Sequence, residues 1–308
     1  ESLNILIKGL LKPGDHVIVS SMEHNAVIRP LNSLVGRGIE FSKVTCNKQG
    51  ELNPDDINKY IKPNTKVVVM THASNVCGTV IDLKRVGSIC KDKGLYFIID
   101  TAQTAGFLDI DYEDIGADAI AFTGHKGLLG PQGIGGFIIS DDMASLLDTF
   151  IEGGTGSLSD KEVQPEYMPD KFEAGTLNIP GIYGLNASIK YIIKEKVSTI
   201  REKELYLLDH FLKGITNITQ LDIIGKKDLN NRTAVVSIDI PKKDNAIVSY
   251  NLYSDFGIMT RCGLHCAPSA HQTLGTFPQG TIRFSFSHFN TIGDVNYVID
   301  AINKVIKN

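Results

Sequence analysis

The stretch "RCGLHCAPSAH" (261–271) sets two cysteines, two histidines and an arginine within eleven residues. Such a set can ligate a metal, close a local disulfide, or carry a reactive sulfur on a loop to a substrate held elsewhere. A second set of polar residues lies in the first half, each at the end of an apolar run. "HVIVSS" runs into Glu23, His24 and Asn25, and "KVVVMT" into His72 and Asn75. "YFIID" ends on Asp100 with Gln103 following, and "DAIAFTG" runs into His125 and Lys126.

Taken singly, each of these has an ordinary explanation: a histidine after a strand bonds nearby backbone, and an aspartate there caps a helix or forms a turn. Independent turn residues have no reason to place a lysine, a carboxylate and a stacking imidazole at one sheet edge. Together they suit pyridoxal phosphate, whose aldehyde forms a Schiff base with a lysine and whose ring nitrogen stays protonated beside a carboxylate. Lys126 and Asp100 fit those parts. "AIAFTGHKGLLGPQGIGGF" holds no charge but Lys126 and an adjoining histidine, and its glycines let backbone approach a ligand closely.

The elements that must position these residues are legible as alternating βα units. "HVIVSS" (16–21), "KVVVMTH" (66–72), "YFIIDT" (96–101) and "DAIAFTG" (118–124) are apolar almost throughout, as strands covered on both faces must be. "NPDDINKYI" opens a helix with Asn53 as N-cap and Pro54 at the first helical position, and a second helix runs from Asp82 to Gly94. "GGFIIS" (135–140) is one more strand, and an irregular glycine-rich stretch follows from about 153 to 180. Beyond it come a helical pattern from Gly181, strands at 233–240 and 281–287, and helices at 245–257 and 291–307. The fold expected is α/β: a large domain, 1–186, with a mostly parallel sheet covered by helices, and a smaller α+β domain, 187–308.

The 308-residue chain, 42% hydrophobic and 21% charged with a net charge of −4, has no basic excess to neutralise a nucleic-acid backbone. No apolar run approaches the ~18 residues of a membrane span. Five cysteines, an odd number thinly spread, argue for reduced thiols and a cytoplasmic address. The chain begins at Glu1 without an initiator methionine, so its native start is expected to lie upstream.

"EHNAV", "HASNVCG", "DTAQ", "TGHK", "FEAGTLNIP" and "RCGLHCAP", in that order, resemble the cysteine desulfurase and selenocysteine lyase branch of the class V aminotransferase-like enzymes, which use pyridoxal phosphate on fold type I. The resemblance implies Lys126 as the Schiff-base lysine and general base, Asp100 on the pyridinium nitrogen, Gln103 on the ring oxygen and His24 stacked on the ring. It places Asn75 near the ring oxygen and the substrate carboxylate, Thr123 and His125 on the phosphate, and Arg283 on the substrate carboxylate as a bidentate fork, with Arg261 beside it. Thr176 would reach the phosphate of a neighbouring subunit, which implies a homodimer with shared sites.

For the opening question, the resemblance aligns Cys266 with a mobile-loop cysteine that takes sulfur from the substrate as a persulfide and releases alanine. The metal set Cys262, His265, Cys266 and His271 has a C-x₂-H-C-x₄-H spacing unlike usual zinc sites, and adjacent His265 and Cys266 would strain to share an ion, so no metal is expected. A disulfide is disfavoured in a reducing cytosol. Gly263 suits a swinging loop, and Arg261 and His265 are the neighbours that can favour a thiolate. The substrate is then L-cysteine or selenocysteine, with a protein as possible sulfur acceptor.

A class V aminotransferase would share Lys126 and Asp100 but needs no thiol, and a non-catalytic scaffold is the reading from another class. Two departures stand out: Leu264 replaces a histidine of some relatives, and Cys262 adds a second thiol. The family's phosphate loop ends in a threonine before a sequence like "ESLN", so the first residues here fall inside that motif.

Overall fold

A computed structural model describes residues 1–307. In chain order its elements are α1 (Ser2–Leu10), β1 (His16–Ser20), α2 (Asn25–Val35), β2 (Glu40–Val44), a 3₁₀ turn (Pro54–Tyr60), β3 (Thr65–Thr71), α3 (Leu83–Lys93), β4 (Tyr96–Asp100), α4 (Tyr112–Ile115), β5 (Ala119–Thr123), β6 (Gly135–Ile139) and α5 (Asp141–Leu146). There follow α6 (Ile179–Glu195), α7 (Val197–Ile215), β7 (Asp222–Ile224), β8 (Val235–Asp239), α8 (Asn245–Phe256), β9 (Arg261–Gly263), α9 (Pro268–Leu274), β10 (Thr281–Ser285) and α10 (Ile292–Lys307).

The first sheet has the order β2-β1-β3-β4-β5-β6, with β6 antiparallel and the rest parallel. Residue alternation divides its faces between two cores. Val17, Val19, Val67 and Val69 join one with α1, while Ile18, Val68 and Met70 join the other with α3. This two-sided burial is why these strands read as unbroken apolar runs. The second sheet, β7-β8-β10-β9, is antiparallel throughout and builds its own core with α7, α8 and α10.

Local signals act where the sequence places them. Asp82 accepts from Arg85 N to open α3, and Gly94 closes it in the left-handed conformation at φ 65°. Asn53 caps as expected, but the segment after it is a 3₁₀ turn rather than an α-helix. The stretch from 147 to 178 is irregular, and α6 then runs unbroken through position 186, so a helix, not a linker, carries the chain into the second half. Among the described residues no helix is long and apolar enough to cross a membrane.

One connection matters most for the site. β9 is an edge strand of the second sheet, paired with β10, yet α9, five residues later, buries Ala270 and Leu274 in a core of the first sheet. The intervening turn, with Leu264, His265 and Cys266, therefore spans the two halves.

Candidate active site

The carboxyl ends of β3, β4 and β5 converge on a cavity of about 890 Å³. Such ends are where open α/β sheets place ligands, because the strands stop there and loops of any composition can take over. His24, Asn75, Asp100 and Gln103 line it, and Thr123, His125, Lys126 and Thr176 complete the set from the far side. The first residues of α1, which the resemblance puts in the phosphate-loop motif, also line it, and the helix N-terminus offers backbone N–H groups there.

Asp100 ends β4, in register with Thr71 of β3. Its side chain is buried, and Ala102 N donates to Oδ1 at 2.9 Å. Burial pushes its pKa up, while that N–H and the Lys126 ammonium push it down. Lys126 lies in the turn after β5 and has accessible surface because it lines the open cavity. Desolvation lowers its pKa, Asp100 opposes this, Arg283 adds to it, and Cys266 opposes it. A lysine of lowered pKa with a carboxylate in the same cavity is a candidate functional amine.

His24 is the N-cap of α2, and its Nδ1 accepts from Ala26 N at 3.0 Å. Burial, then the cations Lys126, Arg29 and Arg283, push its pKa down to about 4, so near neutrality it presents an uncharged aromatic ring. Thr123 Oγ1 and His125 Nδ1 share a hydrogen bond of 2.9 Å. His72 stands apart from the cavity: it is buried, Nδ1 is bonded to Thr104 Oγ1, and burial holds its pKa near 4. It is a satisfied core histidine.

The second half reaches this wall through three hydrogen bonds. Arg283 Nη1 donates to Asn75 O at 2.9 Å, Asn75 Nδ2 donates to His265 O at 2.7 Å, and Asn25 N donates to Cys266 O at 2.7 Å. Arg283 and Cys266 thus sit beside the cavity through Asn75 and the start of α2, and their charges are felt at Lys126. Cys266 is exposed, with left-handed backbone at φ 56°, as is His265 at φ 47°. Two successive non-glycine residues in that region are sterically costly and persist only where the surroundings dictate them. Arg261 is exposed at the start of β9, close enough to lower the pKa of Arg283.

His265 does not suit the role of proton acceptor for Cys266. Its Nε2 is bonded to Thr281 Oγ1 at 2.9 Å, and burial together with Arg283 pushes its pKa down to about 3. Among the described residues no three histidine, cysteine or acidic side chains are placed to hold a metal ion, and all five cysteines are free. Cys46, Cys77 and Cys90 are buried, and burial pushes the first and last up to about 11 and about 12.

The sequence profile described as Aminotransferase class-V matches residues 1–298. The chain belongs to the class-V aminotransferase family. Within it, a probable cysteine desulfurase of Methanothermobacter thermautotrophicus is 34% identical, covering 99% of this chain and 77% of the relative. A probable cysteine desulfurase of Pyrococcus abyssi is 31% identical, covering 100% of this chain and 77% of its own length. Among solved structures, the apo cysteine desulfurase of Thermococcus onnurineus superposes with a TM-score of 0.90 at 31% identity, over 99% of this chain and 76% of that one. This class-V chain thus shares the fold of a solved cysteine desulfurase, as the motif resemblance implied, and the mostly parallel sheet is the one the alternating pattern predicts.

Proposed function

We propose that the protein is a cysteine desulfurase that uses pyridoxal phosphate and converts L-cysteine to L-alanine with sulfur retained on Cys266. The observation that carries this reading is an exposed thiol on a turn that is hydrogen-bonded, from Asn25 N to Cys266 O and from Asn75 Nδ2 to His265 O, to the edge of a cavity lined by Lys126 and the buried Asp100. Transamination has no use for the thiol, and a scaffold has no use for the depressed lysine.

The residues fit the coenzyme. Arg283 is part-buried, donates to the backbone of Asn75, which lines the cavity, and is the cation available to a substrate carboxylate. Lys126 and Asp100 provide an amine and a carboxylate coupled across one cavity, Thr123, His125 and the first turn of α1 provide donors for a phosphate, and the neutral His24 provides a ring face. Gln103 is the donor for the ring oxygen. When bound, the coenzyme supplies an electron sink that makes substrate Cα–H acidic and the Cβ–S bond breakable.

The protein's own contributions follow from its geometry. Arg283, with Asn75 and Arg261 near it, holds the substrate carboxylate, and a desolvated Lys126 moves protons at the substrate carbons. Cys266, as thiolate, forms an S–S bond to the substrate sulfur. The Cβ–S bond breaks with its electron pair left on carbon, which takes a proton and becomes the methyl of alanine. Cysteine plus thiol gives alanine plus persulfide, so no external oxidant is required. Selenocysteine presents the same groups and is the competing substrate.

A homodimer is supported by exposed apolar residues between α5 and α6 and on α6, including Phe150, Ile151, Met168, Ile182 and Tyr183, some of which also line the cavity. Thr176 belongs to the same region and is the residue through which a partner would contribute. Sedimentation at twice the chain mass supports this, and a single-chain mass removes it. The reading as a whole is tested by incubating the coenzyme-loaded protein with L-cysteine. Equimolar alanine and sulfane sulfur are expected, and pyruvate or keto-acid products in their place would reject desulfuration.

A further inference from the structure

Glu23 has no part in the chemistry above, yet it is the most deeply placed acid at the site. It follows β1, is 0% exposed, and touches both parallel strands of that wall. Thr71 N, the last residue of β3, donates to both carboxyl oxygens at 3.0 Å. Ser20 at the end of β1 shares a hydrogen bond with Oε1 through its hydroxyl and approaches it through its N–H at 3.4 Å. Every one of these partners is neutral.

A carboxyl removed from water loses the solvation that favours its charge, and the Thr71 and Ser20 donors, which favour the ionised form, offset only part of that loss. Two acids face it from the neighbouring elements: Asp100 at the end of β4, and the Cys46 thiol beyond β2, whose backbone N donates to Ser21 Oγ at 3.0 Å. Neither is a cation, and an ionised Glu23 would stand near the Asp100 carboxylate as a second negative charge, without a cation of its own. Paired acids in one site cannot both ionise cheaply. Asp100 has the Lys126 ammonium to favour its charge, and Glu23 has no such partner.

We propose that Glu23 is an uncharged carboxylic acid and a positioning residue: it clasps the carboxyl ends of β1 and β3, so that His24 and Asp100 share one wall, while leaving Asp100 the sole negative charge there. The position of the clasp explains its consequence for function. His24 is the next residue in the chain, and Thr71 is the register partner of Asp100, so one buried carboxyl fixes the backbone from which both side chains project. The inference rests on the reading of His24 and Asp100 as coenzyme contacts, but its protonation state is measurable without turnover.

Burial raises this carboxyl to about 8, from 4.5 in the unfolded chain. The sign follows by linkage. The folded state keeps the proton that the unfolded state has lost, so the stabilisation is complete below about 4.5, declines as pH rises, and is gone above about 8. Glu23→Gln carries no proton to lose.

The test measures urea unfolding of the purified chain and of E23Q from pH 5 to 8, with infrared difference spectra between the two. The parent's unfolding constant is expected to rise relative to that of E23Q by about tenfold per pH unit. A protonated-carboxyl C=O band is expected in the parent, absent in E23Q, and bleached in the parent above about pH 8. E23Q is also expected to take up pyridoxal phosphate as tightly as the parent near pH 7, whereas Glu23→Ala takes it up more weakly. Parallel pH dependence in parent and E23Q, or a parent spectrum without that band at pH 6, overturns the proposal even if desulfuration is established. Loss of desulfuration with the band intact rejects the activity and leaves the acid standing.

Discussion

Arg283 is the cation that the proposed reaction assigns to the substrate carboxylate; it is part-buried, and its Nη1 donates to Asn75 O. Arg283→Ala is expected to raise KM strongly, losing ~2–5 kcal/mol of substrate binding for a desolvated ion pair, with coenzyme uptake nearly unchanged; saturation curves matching the parent's would remove Arg283 from the substrate site. Lys126 and Asp100 were legible in the sequence because charge is conspicuous at the ends of apolar runs, whereas Arg283 was reached only through the family resemblance. Glu23 and His265 were harder to read. Nothing local distinguishes a clasping acid from a turn acid, and His265 is depressed by burial and by the charge of Arg283, 18 positions away, neither of which a local stretch displays.

At the scale of elements, the decisive feature is a short turn with its two ends in different cores. β9 belongs to the second sheet and α9 packs beneath the first, so Leu264–Ala267 has little freedom to choose where Cys266 lies. Gly280 supports this turn from below: it has φ 77°, and a Cβ there would come within 2.3 Å of the Gly263 carbonyl carbon and oxygen. Gly280→Ala must push Gly263 aside and carry the cysteine with it. Expected are a loss of sulfur release of up to about 100-fold and a stability loss of ~1–2 kcal/mol for the left-handed alanine, with the coenzyme spectrum retained. Sulfur release equal to the parent's would mean that the turn tolerates displacement. The sequence displayed α3 and the buried strands clearly because caps and apolar runs are local signals. β9 was invisible, since three residues reading Arg-Cys-Gly become a strand only by pairing with β10, and the half-exposed β2 was passed over for want of an apolar run. The 3₁₀ turn after Asn53 shows the limit of capping signals, which mark a start but not the helix type.

For the whole molecule, the two sheets keep separate cores, the cavity is lined by residues of the first sheet's half up to Ile182, and hydrogen bonds from Asn25 and Asn75 tie the Cys266 turn to its edge. That juxtaposition is the property the class-V family fold provides, and it explains why residues 23–126 and 261–283 read as one motif set despite their separation in the chain. The central claim is that Lys126 bonds the coenzyme opposite Cys266. It is tested most directly by loading the protein with pyridoxal phosphate, fixing half with borohydride, treating half with L-cysteine, and mapping both by peptide mass. The account predicts a coenzyme adduct on the peptide containing Lys126 in the first half and one added sulfur on Cys266 in the second. An adduct on any other lysine, or added sulfur on Cys262 with Cys266 unmodified, would contradict it.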